Sequence, residues 1–159
     1  MKDIKRIIVA IDFSVYSAKI LEYAAGIACR TSSEIIAVTV INKRLVEAVE
    51  KVYNAEHPGA FLQKKFINDE KERRAKSLEK LIQECVPEQV HTSLYVRSGI
   101  PFEEIIKVAE EEEADLIIIA PQGRTNLPEY LFGSTSQKIF RHSPVAVLSL
   151  NVNREQKYR

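Results

Sequence analysis

The sequence predicts an α/β fold, an open five-stranded parallel sheet with helices on both faces, and three observations carry that expectation. Short runs of β-branched apolar residues recur along the chain, amphipathic helical stretches separate them, and the alternation continues without a composition break or an internal repeat. A near-continuous apolar run suits a strand covered on both faces, and a helical crossover between two such strands makes them parallel. The 159 residues are the size of one domain, on the rough rule of 100–200 residues each. A chain this long buries roughly 68–70% of its unfolded surface, so it needs no metal or disulfide staple. The expectation is one domain over residues 1–152 and a solvated tail over residues 153–159.

Each element has its own signal. Arg6-Ile7-Ile8-Val9-Ala10-Ile11-Asp12 reads as the first strand, Glu34 to Ile41 as the second and Asp115 to Ala120 as the fourth. Val90 to Val96 is more polar and alternates, as an edge strand does, and Val145 to Leu150 is the last strand, opened by Pro144. Between the first two strands Ser14 is placed to cap a helix with the apolar face Ala18, Leu21, Ala25 and Ala28. A long helix carries Leu62, Phe66, Ala75, Leu78, Leu81, Ile82 and Cys85 and ends before Pro87, with the charged run Asp69 to Arg74 as its solvated face. The next helix opens near Pro101 and buries Ile105, Ile106, Val108 and Ala109, with Glu110 to Glu113 as a solvated end. A short helix runs from about Thr135 to His142. One connection, residues 42–60, is irregular: it holds a weak helical pattern (Leu45, Val46, Val49, Tyr53) and the breaker His57-Pro58-Gly59. A connection this long is a flap over a site or a partner contact.

Composition narrows the function. Lys and Arg total 23 against 22 Asp and Glu, for a net charge of +1, so electrostatic adhesion to nucleic acid or anionic lipid is not expected. The charged start Met1 to Arg6 leads straight into the first strand without an apolar leader or a cleavage site, and no apolar run is long enough to cross a bilayer. Cys29 and Cys85 have neither metal-ligand nor Cys-x-x-Cys spacing and read as free, mostly buried thiols of a cytoplasmic protein. His57, His91 and His142 lie far apart, and no metal ligands are assigned. The Walker loop, the dinucleotide-binding glycine fingerprint and the hydrolase nucleophile elbow are all absent from the sequence.

In open α/β sheets, ligands bind beyond the carboxyl ends of the strands, where strand order reverses. The fourth strand ends Ala120-Pro121-Gln122-Gly123-Arg124, and Gly133-Ser134-Thr135-Ser136 then opens the short helix. Glycine lets a backbone approach a phosphate, and the free N–H groups of Ser134, Thr135 and Ser136 sit at the positive end of the helix dipole. Ser and Thr hydroxyls add donors and Arg124 adds a charge. The alternative is a turn at Gly123 and a helix cap at Ser134.

From Ala120 the pattern reads Ala-x-x-Gly-x9-Gly-Ser-Thr. It resembles the nucleotide-binding signature of the universal stress protein family, Gly-x-x-Gly-x9-Gly-[Ser/Thr]. Ile11-Asp12-Phe13-Ser14, Val38 to Ile41, Gly99-Ile100-Pro101 and Ser143-Pro144-Val145 are similar to that family as well, and the likeness spans residues from about 4 to 150. It implies the adenine nucleotide alpha hydrolase-like fold, strand order 3-2-1-4-5, and a stress-response regulatory protein with little or no catalytic turnover. The implied ligand is ATP or a related adenine nucleotide, with or without Mg2+. Asp12 would lie beside the adenosine, with Ala10 and Ile11 lining the pocket and Val40 meeting adenine through its backbone. Ile119 and Ala120 would approach base and ribose, while Gly123, Gly133, Ser134 and Thr135, with Arg124 nearby, hold ribose and phosphates. The departure is Ala120, where the signature has glycine: one methyl costs from nothing to about 1 kcal/mol or more, and it matters if the backbone there has positive φ or touches the ligand.

That strand order leaves Val145 to Leu150 on a sheet edge, apolar and uninterrupted, a poor sequence for an exposed edge. The expectation is antiparallel pairing with its copy in a two-fold homodimer, as the family commonly shows. The competing class is a member that binds no nucleotide and acts only through protein contacts.

Overall fold

The computed structural model describes residues 3–121 and 133–150. In chain order these form β1 (Arg6–Ala10), α1 (Ser17–Thr31), β2 (Glu34–Asn42), α2 (Lys43–Glu56), α3 (Gln63–Cys85), β3 (Thr92–Gly99), α4 (Pro101–Glu111), β4 (Leu116–Ile119), α5 (Ser134–His142) and β5 (Ala146–Ser149). The five strands make one sheet in the order β3-β2-β1-β4-β5, and every neighbouring pair is parallel. This is the architecture the sequence predicts, including the reversal of order between β1 and β4.

Period-two alternation sends successive side chains to opposite faces. Ile7 and Val9 of β1, Ile35 and Ala37 of β2 and Leu116 and Ile118 of β4 form one core with α1 and with Leu78 of α3. Ile8, Ile36, Val38, Ile117 and Ile119 form the other, with Ile105, Val108 and Ala109 of α4 and Ile139 of α5. Both faces of the central strands are therefore dry, which is why they read as unbroken apolar runs. The edge strand β5 is less covered: Ala146 is exposed, and Val147 and Leu148 are half-buried. No helix among the described residues is long and apolar enough to cross a membrane.

Several local expectations are corrected. The first helix begins at Ser17 rather than after Ser14, and its N-cap, Tyr16, makes no side-chain cap bond. Ser14 instead belongs to the turn before it, its hydroxyl accepting the Tyr16 N–H at 3.3 Å. The irregular connection folds as α2, capped by the Asn42 side chain, which accepts the Arg44 N–H at 3.0 Å. There are thus five helices among the described residues where the sequence showed four clearly. Helix α2 buries Val46 alone, and Leu45, Val49, Val52 and Tyr53 remain exposed. Gly59 turns the chain into α3 with φ of 72°, a conformation glycine adopts without a Cβ penalty. The charged run Asp69 to Arg74 is not wholly solvated, because Arg74 is buried. Ile106 is half-buried rather than buried, and of the two thiols expected to be mostly buried Cys29 is exposed and Cys85 half-buried. At the end of α4, Glu111 pairs with Arg97 and Glu112 with the Tyr95 hydroxyl, so that end is tied to β3.

Leu78 is fully buried against the first core. Leu78→Ala leaves a cavity there, and we expect a loss of about 2–5 kcal/mol in unfolding free energy, read from urea midpoints.

Candidate functional site

The site follows from what happens at the carboxyl ends of β1 and β4. The Ile11 N–H still pairs with the Val38 carbonyl at 2.8 Å, and the Leu150 N–H with the Ile119 carbonyl at 3.0 Å. Beyond those bonds the two central strands part, since one crossover runs to β2 on its side and the other to β5. A cavity of about 360 Å³ opens in the gap, a size within the range of small-molecule sites.

Its walls include Ala10 at the end of β1, Ile11 and Asp12 just after it, Val38, Val40 and Asn42 of β2, Leu45 of α2, and Arg74 of α3. Pro101 and Ile105 of α4, Ile119 and Ala120 at the end of β4, and Gly133 to Ser136 with Ile139 of α5 complete it. The structure thus brings Ala10, Ile11, Asp12, Val40, Ile119, Ala120, Gly133, Ser134 and Thr135 around one cavity. Gly123 and Arg124, and the tail over 153–159, lie outside the described residues.

The polar end is the first turn of α5. The Gly133 N–H donates to the Pro121 carbonyl at 2.9 Å, and the Gln137 N–H to the Gly133 carbonyl at 3.0 Å, which starts the helix. The N–H groups of Ser134, Thr135 and Ser136 sit in the turn where a helix offers no carbonyl acceptor, at its positive end. The Ser136 hydroxyl is not a spare donor: it donates to the Ala120 carbonyl at 3.0 Å and ties α5 to β4. Gly133 has φ of −58°, and a Cβ there meets nothing nearer than the Pro121 carbonyl at 3.7 Å. Neither conformation nor crowding by the described residues requires glycine at that position.

Asp12 shapes the turn after β1. Its Oδ1 accepts the Ser14 N–H at 2.9 Å and the Ser17 hydroxyl at 3.2 Å, an Asx-type turn that also holds the start of α1. Ala120 is free of the strain its methyl could have caused. Phe13, Ser32 and Glu113 are the non-glycine described residues with positive φ, and Ala120 is not among them. Its side chain packs partly against the first core.

Sequence reasoning missed Arg74. Its Nε donates to Glu70 Oε1 at 2.8 Å, and its Nη1 to the Val40 carbonyl at 2.9 Å and Thr39 Oγ1 at 3.3 Å. Only 9% of the side chain is exposed. The signal lay in spacing: Arg74 is four residues before Leu78, on the stripe of α3 that faces the sheet, with Glu70 one turn earlier. Arg73 also binds Glu70 through two bonds, at 2.9 and 2.6 Å. The hydrogen bonds from Arg73 first, and then the one from Arg74, hold the Glu70 carboxyl down from 4.5 to about 2 against the opposing effect of burial.

A second hollow, about 1260 Å³, lies at the opposite, amino ends of the strands. Its charged groups serve the fold: Arg6 pairs with Glu34 at 2.7 Å, and Asp115 accepts the Lys5 and Arg6 N–H groups at 2.8 and 3.1 Å. Among the described residues no three His, Cys, Asp or Glu side chains gather as a metal-holding group.

A family model described as the universal stress protein family matches residues 3–150. The chain is 28% identical over 151 residues to the universal stress protein MJ0577 of Methanocaldococcus jannaschii, covering 91% of this chain and 93% of that one. It is 30% identical over 146 residues to the universal stress protein YxiE of Bacillus subtilis, covering 90% and 96%. A solved structure of MJ0577 matches with a TM-score of 0.78 over 94% of this chain and 96% of that one. A universal stress protein from Archaeoglobus fulgidus, solved in complex with dAMP, shares the fold with a TM-score of 0.61 at 16% identity, covering 93% and 98%.

The depressed Glu70 pKa has a pH consequence of definite sign. Its ion pairs stabilise the fold above the ordinary carboxylate value of 4.5 and are lost as pH falls toward about 2. We expect the urea-midpoint gap between the native chain and Glu70→Gln to be full at pH 7 and to shrink across that window.

Proposed function

This chain belongs to the universal stress protein family, and from that premise we propose that it is a cytoplasmic regulatory protein that binds an adenine nucleotide, ATP, where β1 and β4 part. The observation that carries the reading is one of placement. The end of β1 with the two residues after it, the end of β2, the end of β4 and the first turn of α5 surround a single cavity at the reversal of strand order, the place where open α/β sheets take ligands. The first turn of α5 supplies backbone N–H groups and a positive dipole end for the phosphates, with Ser134 and Thr135 hydroxyls beside them. Val38, Val40, Ile105 and Ile119 offer apolar walls for the base. Gly123 and Arg124 are assigned to the phosphates on the spacing of the motif. The dAMP complex of the Archaeoglobus protein supports the reading at the level of the fold.

The proposed role is binding with little or no turnover. Asp12 is the carboxylate on the described cavity wall. Its Oδ1 is engaged with Ser14 and Ser17, which suits a positioning role beside the ribose better than activation of a water. Mg2+ enters, in this reading, as the companion ion of the triphosphate.

The edge position of β5, with Val147 and Leu148 half-buried, favours a second, compatible proposal: antiparallel pairing of this strand with its copy in a homodimer. Sedimentation at micromolar concentration is expected to show the dimer, and Val147→Lys to shift it toward monomer; a native chain that sediments only as monomer overturns this.

Calorimetric titration with ATP tests the nucleotide. Heat is expected from the native chain, and Ala120→Gly is expected to change affinity by less than about fivefold, because the backbone there carries no positive φ. Gly133→Ala is expected to keep the fold, its methyl having room among the described residues, and to lower affinity by filling the cavity beside the phosphates. No heat at millimolar ATP, with none gained in Ala120→Gly, sinks the reading.

A further inference from the structure

We propose that Arg74 reads the base: it covers the acceptor at the end of β2 and presents an N–H in its place, so that a 6-oxo purine nucleotide competes with ATP for the cavity. The proposal rests on the reading that a purine nucleotide binds there with its phosphates at α5.

The direction of one carbonyl sets the geometry. Carbonyls along a strand alternate between its two edges. The Val38 carbonyl faces β1, where it accepts the Ile11 N–H. The Val40 carbonyl, two residues on, faces the same way, past the point where the chain has turned aside at Asp12. No β1 donor reaches it, and it accepts Nη1 of Arg74 at 2.9 Å instead. The guanidinium is held by three further constraints: Thr39 Oγ1 at 3.3 Å, Glu70 Oε1 at 2.8 Å, and burial of its stem. An arginine has five N–H donors and no acceptor. Nε and Nη1 are committed to these partners, and Nη2 has no acceptor among the described residues although Arg74 lines the cavity.

The charge of Arg74 is matched by Glu70, and its neighbours on the cavity wall include Val38, Leu45 and Ile105. That combination suits the edge of a planar ring, whereas phosphate oxygens are better served by the unpaired N–H groups of α5. An open backbone carbonyl at a ring edge accepts an exocyclic amine and repels an exocyclic carbonyl, which favours adenine. A guanidinium N–H in front of that carbonyl inverts the preference: it meets the 6-amino group donor to donor and meets a 6-oxo group as a hydrogen bond. Inosine triphosphate differs from ATP only at this edge, so the pair isolates the effect.

The experiment is calorimetric titration of the full chain with ATP and with inosine triphosphate, on the native protein and on Arg74→Met. The native protein is expected to bind inosine triphosphate within about threefold of ATP or more tightly, and Arg74→Met to move the ratio about tenfold toward ATP, the size of one charged hydrogen bond. A native preference for ATP above about tenfold, or an unchanged ratio in the variant, overturns the role of Arg74 while leaving the nucleotide site intact. Failure of both nucleotides to bind the native protein overturns the site itself and this proposal with it. Should Arg74→Met fail to fold, the native ratio decides together with Arg74→Lys, which keeps the charge, loses the fork and is expected to shift the ratio the same way.

Discussion

Strand β1 must be dry on both faces, and the rest of the molecule is arranged to make it so. Ile7, Ile8 and Val9 have no exposed surface, and the strand has a parallel neighbour on each edge. Parallel neighbours require crossovers, and crossovers of one hand place successive helices on the same face. Covering both faces of one central strand therefore demands that the chain build outward in one direction, return and build in the other. The reversal that results leaves β1 and β4 adjacent while their outgoing chains part. The candidate cavity is a by-product of burying three residues, which is why a strand with a fully buried centre ends at a cavity.

That constraint also explains which parts of the molecule were legible in the sequence. Strands dry on both faces carry their signature in composition alone, so Ile7 to Ile11, Ile35 to Ile41 and Leu116 to Ile119 could be read without knowing their partners. Helix α2 could not be read as firmly, because only Val46 is buried and the apolar residues that mark its period stay exposed. Ser14 was misplaced as a cap because Asp12 takes both its N–H and the Ser17 hydroxyl, which moves the helix start by a turn. Nine of the candidate residues line one cavity; the strand ends pointed to the place, and the family resemblance supplied most of the individual residues. Arg74 was not legible, because a run of six charged or polar residues hides which one lies on the inward stripe. Ser136 was misjudged for the opposite reason: nothing local says that its hydroxyl is spent on the Ala120 carbonyl.

The Glu70–Arg74 pair is an unusual thing to place between a helix and the edge of a ligand site. Taking two charges out of water is expensive, and their attraction repays this only with good geometry and additional hydrogen bonds. Here the additional bonds exist: Arg73 holds the carboxylate from the solvent side, and Thr39 and Val40 hold the guanidinium from the sheet side. The pair also solves a local problem. The Val40 carbonyl is stranded where β1 turns away, and a buried acceptor without a partner is costly. Arg74 supplies that partner from a different helix, which couples the position of α3 to the last turn of backbone before the cavity.

The two ends of the cavity therefore do different physical work. At α5 the polar groups are backbone N–H groups, whose direction is set by the helix and whose strength does not depend on basic side chains. This agrees with a chain whose 23 basic residues are balanced by 22 acidic ones. Affinity for an extended polyanion would need a broad basic face, whereas one helix end serves one small phosphate chain. Such an end binds phosphate oxygens alike whatever is attached to them, so it carries no information about the base. In the proposed reading discrimination comes from the other end, where the wall is mostly apolar and the charged side chains on it are Asp12 and Arg74. Asp12 is bound into the turn that starts α1. Arg74 is the charged group at the β2 end of that wall with donors to spare, and it sits on a helix whose other contacts are made by Leu78 and its neighbours. On the proposed reading, exchange at that one position retunes which ring is accepted while the sheet and the crevice stay as they are.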